Sequence, residues 1–419
     1  MQTDQPSGRR LGIAIVGLGG AVATTAVAGS LLIRKGLQGK EGLPLAEFDH
    51  LDLPAYDQLT FRGWDLYQDN LLKAARHHAV LNEKQLDAVA DELGAITPWS
   101  PASNRAYCAG VVNGEDSDGS LRFQVAAIRE QLQEFRDEMD GAPIVVINLA
   151  STEHALDIND PMYQEPAAFE RALDSDAEGI SPAMLYAYAC IEEAVPYANF
   201  TPSMAADVPA LRQLANERNV PVAGKDGKTG QTYVKTVIAP ALRARALHVD
   251  GWFSTNILGN RDGEALRKPE SLKSKINTKG DVLGSCLGYP VENHLVMINY
   301  YKPRGDDKEA WDNIDVTGFM GHQMQIKVNF LCKDSILAAP LAIEIARCLE
   351  LADRKGHGGA VEELGVFFKA PLTRDGREPN HNFTEQQIEL QNWLERLNEL
   401  PDAPRQAAST GAEEKVVPA

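Results

Sequence analysis

The residues best suited to chemistry in this chain are lysines set among small polar residues. Lys275 and Lys279 stand in Ser274-Lys275-Ile276-Asn277-Thr278-Lys279. At i and i+4 they share one face of a helix. Two neighbouring ammonium groups repel, which lowers one pKa and makes a neutral amine available for proton transfer near neutrality. They would also attract a phosphate; the plain alternative is a solvated lysine face. Gly224-Lys225-Asp226-Gly227-Lys228-Thr229-Gly230-Gln231-Thr232 reads as a phosphate-binding nest in front of a helix. It is not a P-loop, because Val222 stands where the distal first glycine belongs. Lys308 follows Gly305-Asp306-Asp307 ahead of an amphipathic turn, and Lys369 sits in Phe367-Phe368-Lys369-Ala370-Pro371-Leu372. A lysine between bulky apolar residues either snorkels or is desolvated for chemistry. No GxSxG or HExxH motif competes, and the nine histidines show no metal-ligand spacing. His77 and His78 on one helix point to different faces and are expected at the surface.

A second constellation is Val16-Gly17-Leu18-Gly19-Gly20-Ala21-Val22-Ala23-Thr24-Thr25, between a predicted strand and a predicted helix. Glycines there allow a tight turn and let backbone N–H groups approach a pyrophosphate, while the helix N-terminus supplies unpaired donors. Val22 holds the third glycine's place, so the fingerprint is irregular. An acidic residue should close the second strand and hold the adenosine ribose hydroxyls. Asp65, in Phe61-Arg62-Gly63-Trp64-Asp65, is so placed and favours NAD over NADP, with Arg62 nearby as the complication. The competing reading is that Asp65 only caps the next helix.

The elements that must position these groups alternate. Strands are predicted at Ile13–Val16, Leu59–Phe61, Pro143–Asn148 and Val220–Ala223. Helices are predicted at Ala21–Ile33, Asp65–His78, Glu83–Leu93, Leu121–Met139 and Asp207–Arg218. Such alternation implies parallel βαβ units and an α/β fold. From about 233 to 335 the pattern changes to longer strands, at Leu295–Tyr300 and Gln323–Leu331, fitting a half-exposed antiparallel sheet. Helices at Asp334–Leu351 and Glu385–Leu397 follow. The 419 residues suit two or three domains, and residues 1–10 and 402–419 read as loose tails. A net charge of −18 argues against a nucleic-acid coat or an anionic-membrane binder, so an anionic ligand needs a local basic pocket. Five scattered cysteines without CxxC indicate reduced thiols in a cytoplasmic protein and no zinc site. The uncharged run Leu11–Ile33 is long enough for a membrane span, but its glycines and its strand-like start favour a buried strand and turn.

Taken together, the motifs resemble the myo-inositol-1-phosphate synthase (inositol-3-phosphate synthase) family, in a compact bacterial-type form. The resemblance runs over about residues 11–398. It is carried by Gly17-Leu18-Gly19-Gly20 with Thr24-Thr25, Gly63-Trp64-Asp65, Lys228-Thr229-Gly230-Gln231-Thr232, Leu258-Gly259-Asn260-Arg261-Asp262-Gly263, Ser274-Lys275, Lys279, Gly305-Asp306-Asp307-Lys308, Lys333-Asp334-Ser335 and Lys369-Ala370-Pro371-Leu372. It implies an enzyme that turns D-glucose 6-phosphate into a myo-inositol monophosphate with catalytic NAD. C5 is oxidised to a ketone, C6 is thereby acidified and attacks the C1 aldehyde, and the inosose phosphate is re-reduced.

By this resemblance the catalytic residues are Lys275 (proton transfer at O5), Lys369 (protonation of O1), Lys279 and Lys308 (phosphate and enolate charge), and Asp226 and Asp334 (orientation). Thr229, Gly230, Gln231 and Thr232 cradle the phosphate, and Asn260 and Asp262 lie near the substrate. Gly17, Leu18, Gly19, Gly20, Ala21, Val22, Asp65, Ala150, Ser151 and Thr152 bind the cofactor. The implied architecture is a Rossmann-like parallel-sheet domain (11–232 plus 336–400). An α+β domain for catalysis and oligomerisation (233–335) is inserted, and the assembly is a homotetramer feeding inositol and phospholipid biosynthesis. No metal ligand set is visible, and a divalent or monovalent cation is left open.

The chain departs from the family at Ala21-Val22-Ala23 for Asn-Asn-Gly, at Arg261 and Ser151 for Asn, and at Phe200-Thr201 for Gly-Ser. Competing readings are a Rossmann enzyme acting on another sugar phosphate, an NAD-sensing regulator, and a membrane-tethered protein.

Overall fold

The computed structural model describes residues 8–104, 106–107, 119–259 and 282–404. Among the described residues, ten strands form two sheets. In chain order they are β1 (Leu11–Val16), β2 (Leu59–Trp64), β3 (Ile144–Asn148), β4 (Tyr197–Asn199), β5 (Pro221–Gly224), β6 (His248–Leu258), β7 (Asn293–Tyr300), β8 (Asp307–Thr317), β9 (Gln323–Lys333) and β10 (Gly359–Ala360). The described helices are α1 (Ala21–Arg34), α2 (Leu71–His78), α3 (Glu83–Asp87), α4 (Ala90–Ala95), α5 (Leu121–Glu138), α6 (Pro166–Asp174), α7 (Pro182–Glu192), α8 (Pro209–Glu217), α9 (Gly230–Ala244), α10 (Val282–Leu287), α11 (Asp334–Arg354) and α12 (Phe383–Glu399).

The first sheet has the order β10-β5-β4-β3-β1-β2, with every pairing parallel. Strand β1 is buried along its whole length. Its Leu11, Ile13 and Ile15 face a core shared with α1, α11 and α12, while Ala14 and Val16 face a second core with α5, α7 and α8. A strand buried on both sides needs apolar residues in both registers, and that is why β1 reads as an unbroken apolar run. Gly63 is required in β2: its φ is +150°, and a Cβ there would lie 2.0 Å from the Ile15 carbonyl oxygen. The chain leaves β1 toward β2 on one side and reaches β3 on the other. The C-terminal ends of β1 and β3 therefore flank the crevice where such sheets take ligands.

The second sheet has the order β7-β6-β8-β9. It is mixed rather than antiparallel, because β6 and β7 run parallel while β8 pairs antiparallel with β6 and with β9. A crossover through α10, which packs on α9, returns the chain in the same direction; strand direction is not encoded in local alternation. One face packs Trp252, Ile314 and Val316 against Ala239 and Leu242 of α9 and Leu283 of α10. The other face presents Leu295, Met297, Trp311 and Leu331, the first and last 58 % exposed.

Two helix predictions and one turn prediction need correction. Helix α2 begins at Leu71, not Asp65, because Asn70 caps it by accepting the Lys73 N–H. The segment Glu83–Leu93 is broken into α3 and α4. Lys308 lies in β8, not ahead of an amphipathic turn. The uncharged run Leu11–Ile33 forms β1, the glycine turn and most of α1, and no helix among the described residues is long and apolar enough to cross a membrane.

Candidate functional site

The glycine loop follows β1 directly. Gly17 and Leu18 donate to the Trp64 carbonyl at 2.8 and 2.9 Å, and Gly20 donates back to Gly17 at 3.0 Å, closing a tight turn. Gly17 has φ +86°, and a Cβ there would lie 2.9 Å from the Ala150 Cα, so loop and β3 terminus are in backbone contact. Helix α1 starts at Ala21, with Gly20 at its N-cap, so it has no side-chain cap, and no acidic residue lies in its first turn. Its first N–H groups have no acceptor within the helix. Thr24 and Thr25 turn their hydroxyls onto the Gly20 and Ala21 carbonyls and so fasten the helix start from within.

Asp65 meets this loop. Its Oδ2 accepts the Gly19 N–H at 2.8 Å and its Oδ1 accepts the Tyr67 N–H at 2.9 Å. The helix-capping reading of Asp65 is thereby excluded. Arg62 is turned away and paired with Glu138 at 2.7 Å. His78 is not merely a surface residue, because its Nε2 lies 2.9 Å from the Gly19 carbonyl oxygen. On the facing side, Ala150 donates to Asn148 Oδ1, and Ser151 and Thr152 are exposed. Glu153 accepts the Ala183 N–H at the start of α7, and desolvation pushes its carboxyl up to about 7. A dinucleotide fits this crevice: backbone donors at an uncapped helix start adjoin a glycine-rich loop whose one large side chain, Leu18, is buried, with a carboxylate at the end of β2. Gly17, Leu18, Gly19, Gly20, Ala21, Val22 and Asp65 on one side, and Ala150, Ser151 and Thr152 on the other, could hold it.

A chain of backbone bonds leads from this crevice to the lysines. Phe200 donates to Asn148, Gly227 to Phe200 and Asp226 to Thr201. Lys228 then donates to Phe367, and Lys369 to Asp226. The last two bonds lay segment 367–370 along the loop after β5. They bring Lys369 Nζ to 2.7 Å from Asp226 Oδ1, with both side chains nearly buried. Asp226 holds φ +60°.

One turn on, Thr229 Oγ1 donates to Asp334 Oδ1 at 2.9 Å, and Lys308 Nζ lies 3.3 Å from the same oxygen. Lys308 leans over Gly230 at the start of α9, its Nζ 3.6 Å from where a Cβ would be. Burial alone would push the Lys308 ammonium down, but Asp334, with Cys332 and Asp226 nearby, outweighs burial and holds it above the usual lysine value. Two ammonium groups and two carboxylates thus meet at a helix N-terminus. The arrangement can bind a phosphate and stabilise an oxyanion without reorganisation.

The remaining expectations divide. Gln231 does not reach toward this cluster: its amide bonds Thr255 O and accepts from Asn256, so it points into the second sheet and can offer the site only backbone. Thr232 is buried in the same turn of α9. Lys275, Lys279, Asn260 and Asp262 lie outside the described residues. The chain leaves the described part of β6 at Leu258–Gly259, and Leu258 pairs with Lys308. Sequence reasoning missed the buried amide ladder Asn148–Asn199–Thr201–Ser203 below the cluster. Its only signal is an asparagine ending each of two neighbouring strands.

The profile of the myo-inositol-1-phosphate synthase family matches residues 43–395. Inositol-3-phosphate synthase 1 of Bacteroides thetaiotaomicron is 40 % identical over 95 % of this chain and 98 % of its own length. The inositol-3-phosphate synthase of Saccharomyces cerevisiae is 28 % identical over 94 % of this chain and 86 % of its own. Among solved structures, inositol-3-phosphate synthase from Caenorhabditis elegans superposes with a TM-score of 0.85 at 23 % identity, covering 95 % of this chain and 87 % of that one. The fold is therefore shared well beyond the range of close sequence similarity. With the profile covering most of its length and a bacterial relative aligning almost end to end, the chain belongs to the myo-inositol-1-phosphate synthase family.

Proposed function

We propose that this protein converts D-glucose 6-phosphate into 1L-myo-inositol 1-phosphate (1D-myo-inositol 3-phosphate), with NAD held as a catalytic cofactor. Within the family, the observation that carries this reading is the convergence of Lys369–Asp226 and Lys308–Asp334–Thr229 at the start of α9. That cluster lies on the same sheet edge as the glycine loop, so one ligand could touch both. Held by the glycine loop, Asp65, Ala150, Ser151 and Thr152, bound NAD would supply a hydride acceptor for C5 and the hydride donor for the closing reduction, with no net oxidation.

The chain's own groups supply the rest. The backbone N–H groups of Gly230, Gln231 and Thr232, with the Lys308 ammonium, hold the phosphate, and Thr229, its own N–H turned to Gly227 O, completes the cradle. The phosphate dianion of the bound sugar takes the C6 proton lost on enolisation; Lys369, oriented by Asp226, gives a proton to O1 as C6 closes onto C1, and the proton held by the phosphate restores Lys369. Lys275 takes the C5 hydroxyl proton and later restores it, and Lys279 shares the enolate charge with Lys308. Asp334 keeps Lys308 charged and in place, while Asn260 and Asp262 border the substrate. Fixed cations suit this sequence because negative charge appears in turn on O5, on the enolate and on O1. We further propose a cytoplasmic homotetramer, its subunits meeting through the exposed apolar face of the second sheet, with a product used for inositol phospholipids.

The test is incubation with glucose 6-phosphate and substoichiometric NAD, followed by product identification. Inositol phosphate formed without net NADH is expected. NADH accumulating in proportion to sugar consumed would refute the proposal and point to a dehydrogenase.

A further inference from the structure

Lys228 has no role in the chemistry above, yet it is a charged side chain only 4 % exposed. It occupies the position in Gly227-Lys228-Thr229 from which a P-loop lysine would reach a phosphate. Its Nζ goes elsewhere: it donates to Gln386 Oε1 of α12 at 2.6 Å and lies 5.9 Å from the centre of the Phe383 ring. Burial pushes its ammonium down to about 7. Its other neighbours are the Cys286 thiol of α10 and His381, which burial and the Lys228 charge together push down to about 4. An apolar side chain would fill this space without the desolvation penalty of an ammonium. The hydrogen bond to Gln386 is what such a side chain could not make.

That bond reaches the site through the backbone. Gln386 donates its Nε2 to Asn380 O and packs on Gly365, where a Cβ would lie 3.1 Å from that nitrogen. Gly365 begins the segment that runs to Phe367, Phe368 and Lys369. The Lys228 N–H is bonded to Phe367 O and Gly227 is bridged to Phe368. Lys228 therefore grips the Lys369-bearing segment twice, by its own backbone and through Gln386.

We propose that Lys228 is a positioning residue of the reaction assigned above: braced on Gln386, it holds the 365–369 segment in the register that sets Lys369 against Asp226. It touches no substrate atom. The brace rests on the reading of Lys369 as the O1 acid, and the two are tested separately.

Lys228→Met and Gln386→Leu should each lower kcat for inositol phosphate formation at least tenfold, with KM for glucose 6-phosphate and the Kd of NAD within about threefold of the wild type. In an Asp226→Asn background, Lys228→Met should add less than threefold, because the pair it serves is already broken. If Lys228→Met does not fold, judged by its melting curve, Lys228→Gln is read by the same criteria. Wild-type-like kcat in Lys228→Met, an equal loss of NAD binding, or a full tenfold loss on top of Asp226→Asn would overturn the proposal. A wild-type enzyme making no inositol phosphate would sink the parent reading instead.

Discussion

Asp226→Asn is the sharpest perturbation of the site, because it removes one charge and almost no volume. The carboxylate lies 2.7 Å from Lys369 Nζ. At an effective dielectric constant of about 20, the gross attraction at this separation is about 6 kcal/mol. Desolvation offsets part of it, and removing one partner of a buried pair typically costs about 3–5 kcal/mol in stability. Asparagine keeps an oxygen for the ammonium, so the loss should fall at the low end, about 3 kcal/mol. Catalysis should suffer as when one preorganised oxyanion-stabilising group is lost, roughly 10²–10³ in kcat. The glycine loop does not touch Asp226, so NAD affinity should stay within about twofold. Product formation from glucose 6-phosphate, calorimetric NAD binding and a denaturant titration measure the three quantities. A kcat within about threefold of wild type, in a folded variant that binds NAD, would refute the role given to the Lys369–Asp226 pair.

Gly17→Ala forces a Cβ against the Ala150 backbone at 2.9 Å with φ at +86°, and the αL penalty alone is about 1–2 kcal/mol. NAD affinity measured by titration should fall at least tenfold; unchanged affinity would remove the loop from the cofactor site. Lys308→Met should raise KM for glucose 6-phosphate more than it alters NAD binding, and the reverse split would contradict a phosphate role. Glu153, pushed up to about 7, holds a proton in the folded state that it loses when unfolded above about pH 4.5. The stability this contributes is fully present below the unfolded value and is lost as pH rises through 7. Glu153→Gln should therefore gain on the wild type in melting temperature between pH 5 and pH 8, and a constant difference across that range would contradict the burial argument. Leu295→Glu on the outward face of the second sheet should lower the assembly state in sedimentation velocity if subunits meet there.

The glycine turn, β1 and the long helices α5 and α11 were legible because local pattern alone decides them. A doubly buried strand must be apolar throughout, and an amphipathic helix must repeat. Other elements were hidden for identifiable reasons. Strand β4 has three residues, too few for a period, and only its neighbours β3 and β5 make it a strand. Helix α7 is buried on almost every side, so it shows no polar face, and Pro182 at its first turn reads as a break rather than a start. For Asp65 a cap stayed open as the competing reading because a strand-ending aspartate and an N-cap occupy the same place in sequence; Asn70, which caps α2, closes it. In the site, the lysines near the proposed phosphate cradle could be found by type, and the family resemblance singled out Lys369, but nothing local signalled that Lys228 and Lys369 take opposite partners. Which of them faces Asp226 and which faces Gln386 is set by the pairing of two segments about 140 residues apart.

Strand β9 ends at Lys333 and α11 begins at Asp334, with no residue between them. Helix α11 is packed into the core of the first sheet, and at its far end Arg354 is bonded to Glu350, Asp52 and Asp402. This junction is a weld rather than a hinge. The two sheets cannot swing apart there without tearing Asp334 from Lys308 and Thr229, so the cluster keeps its geometry only while both sheets move as one frame.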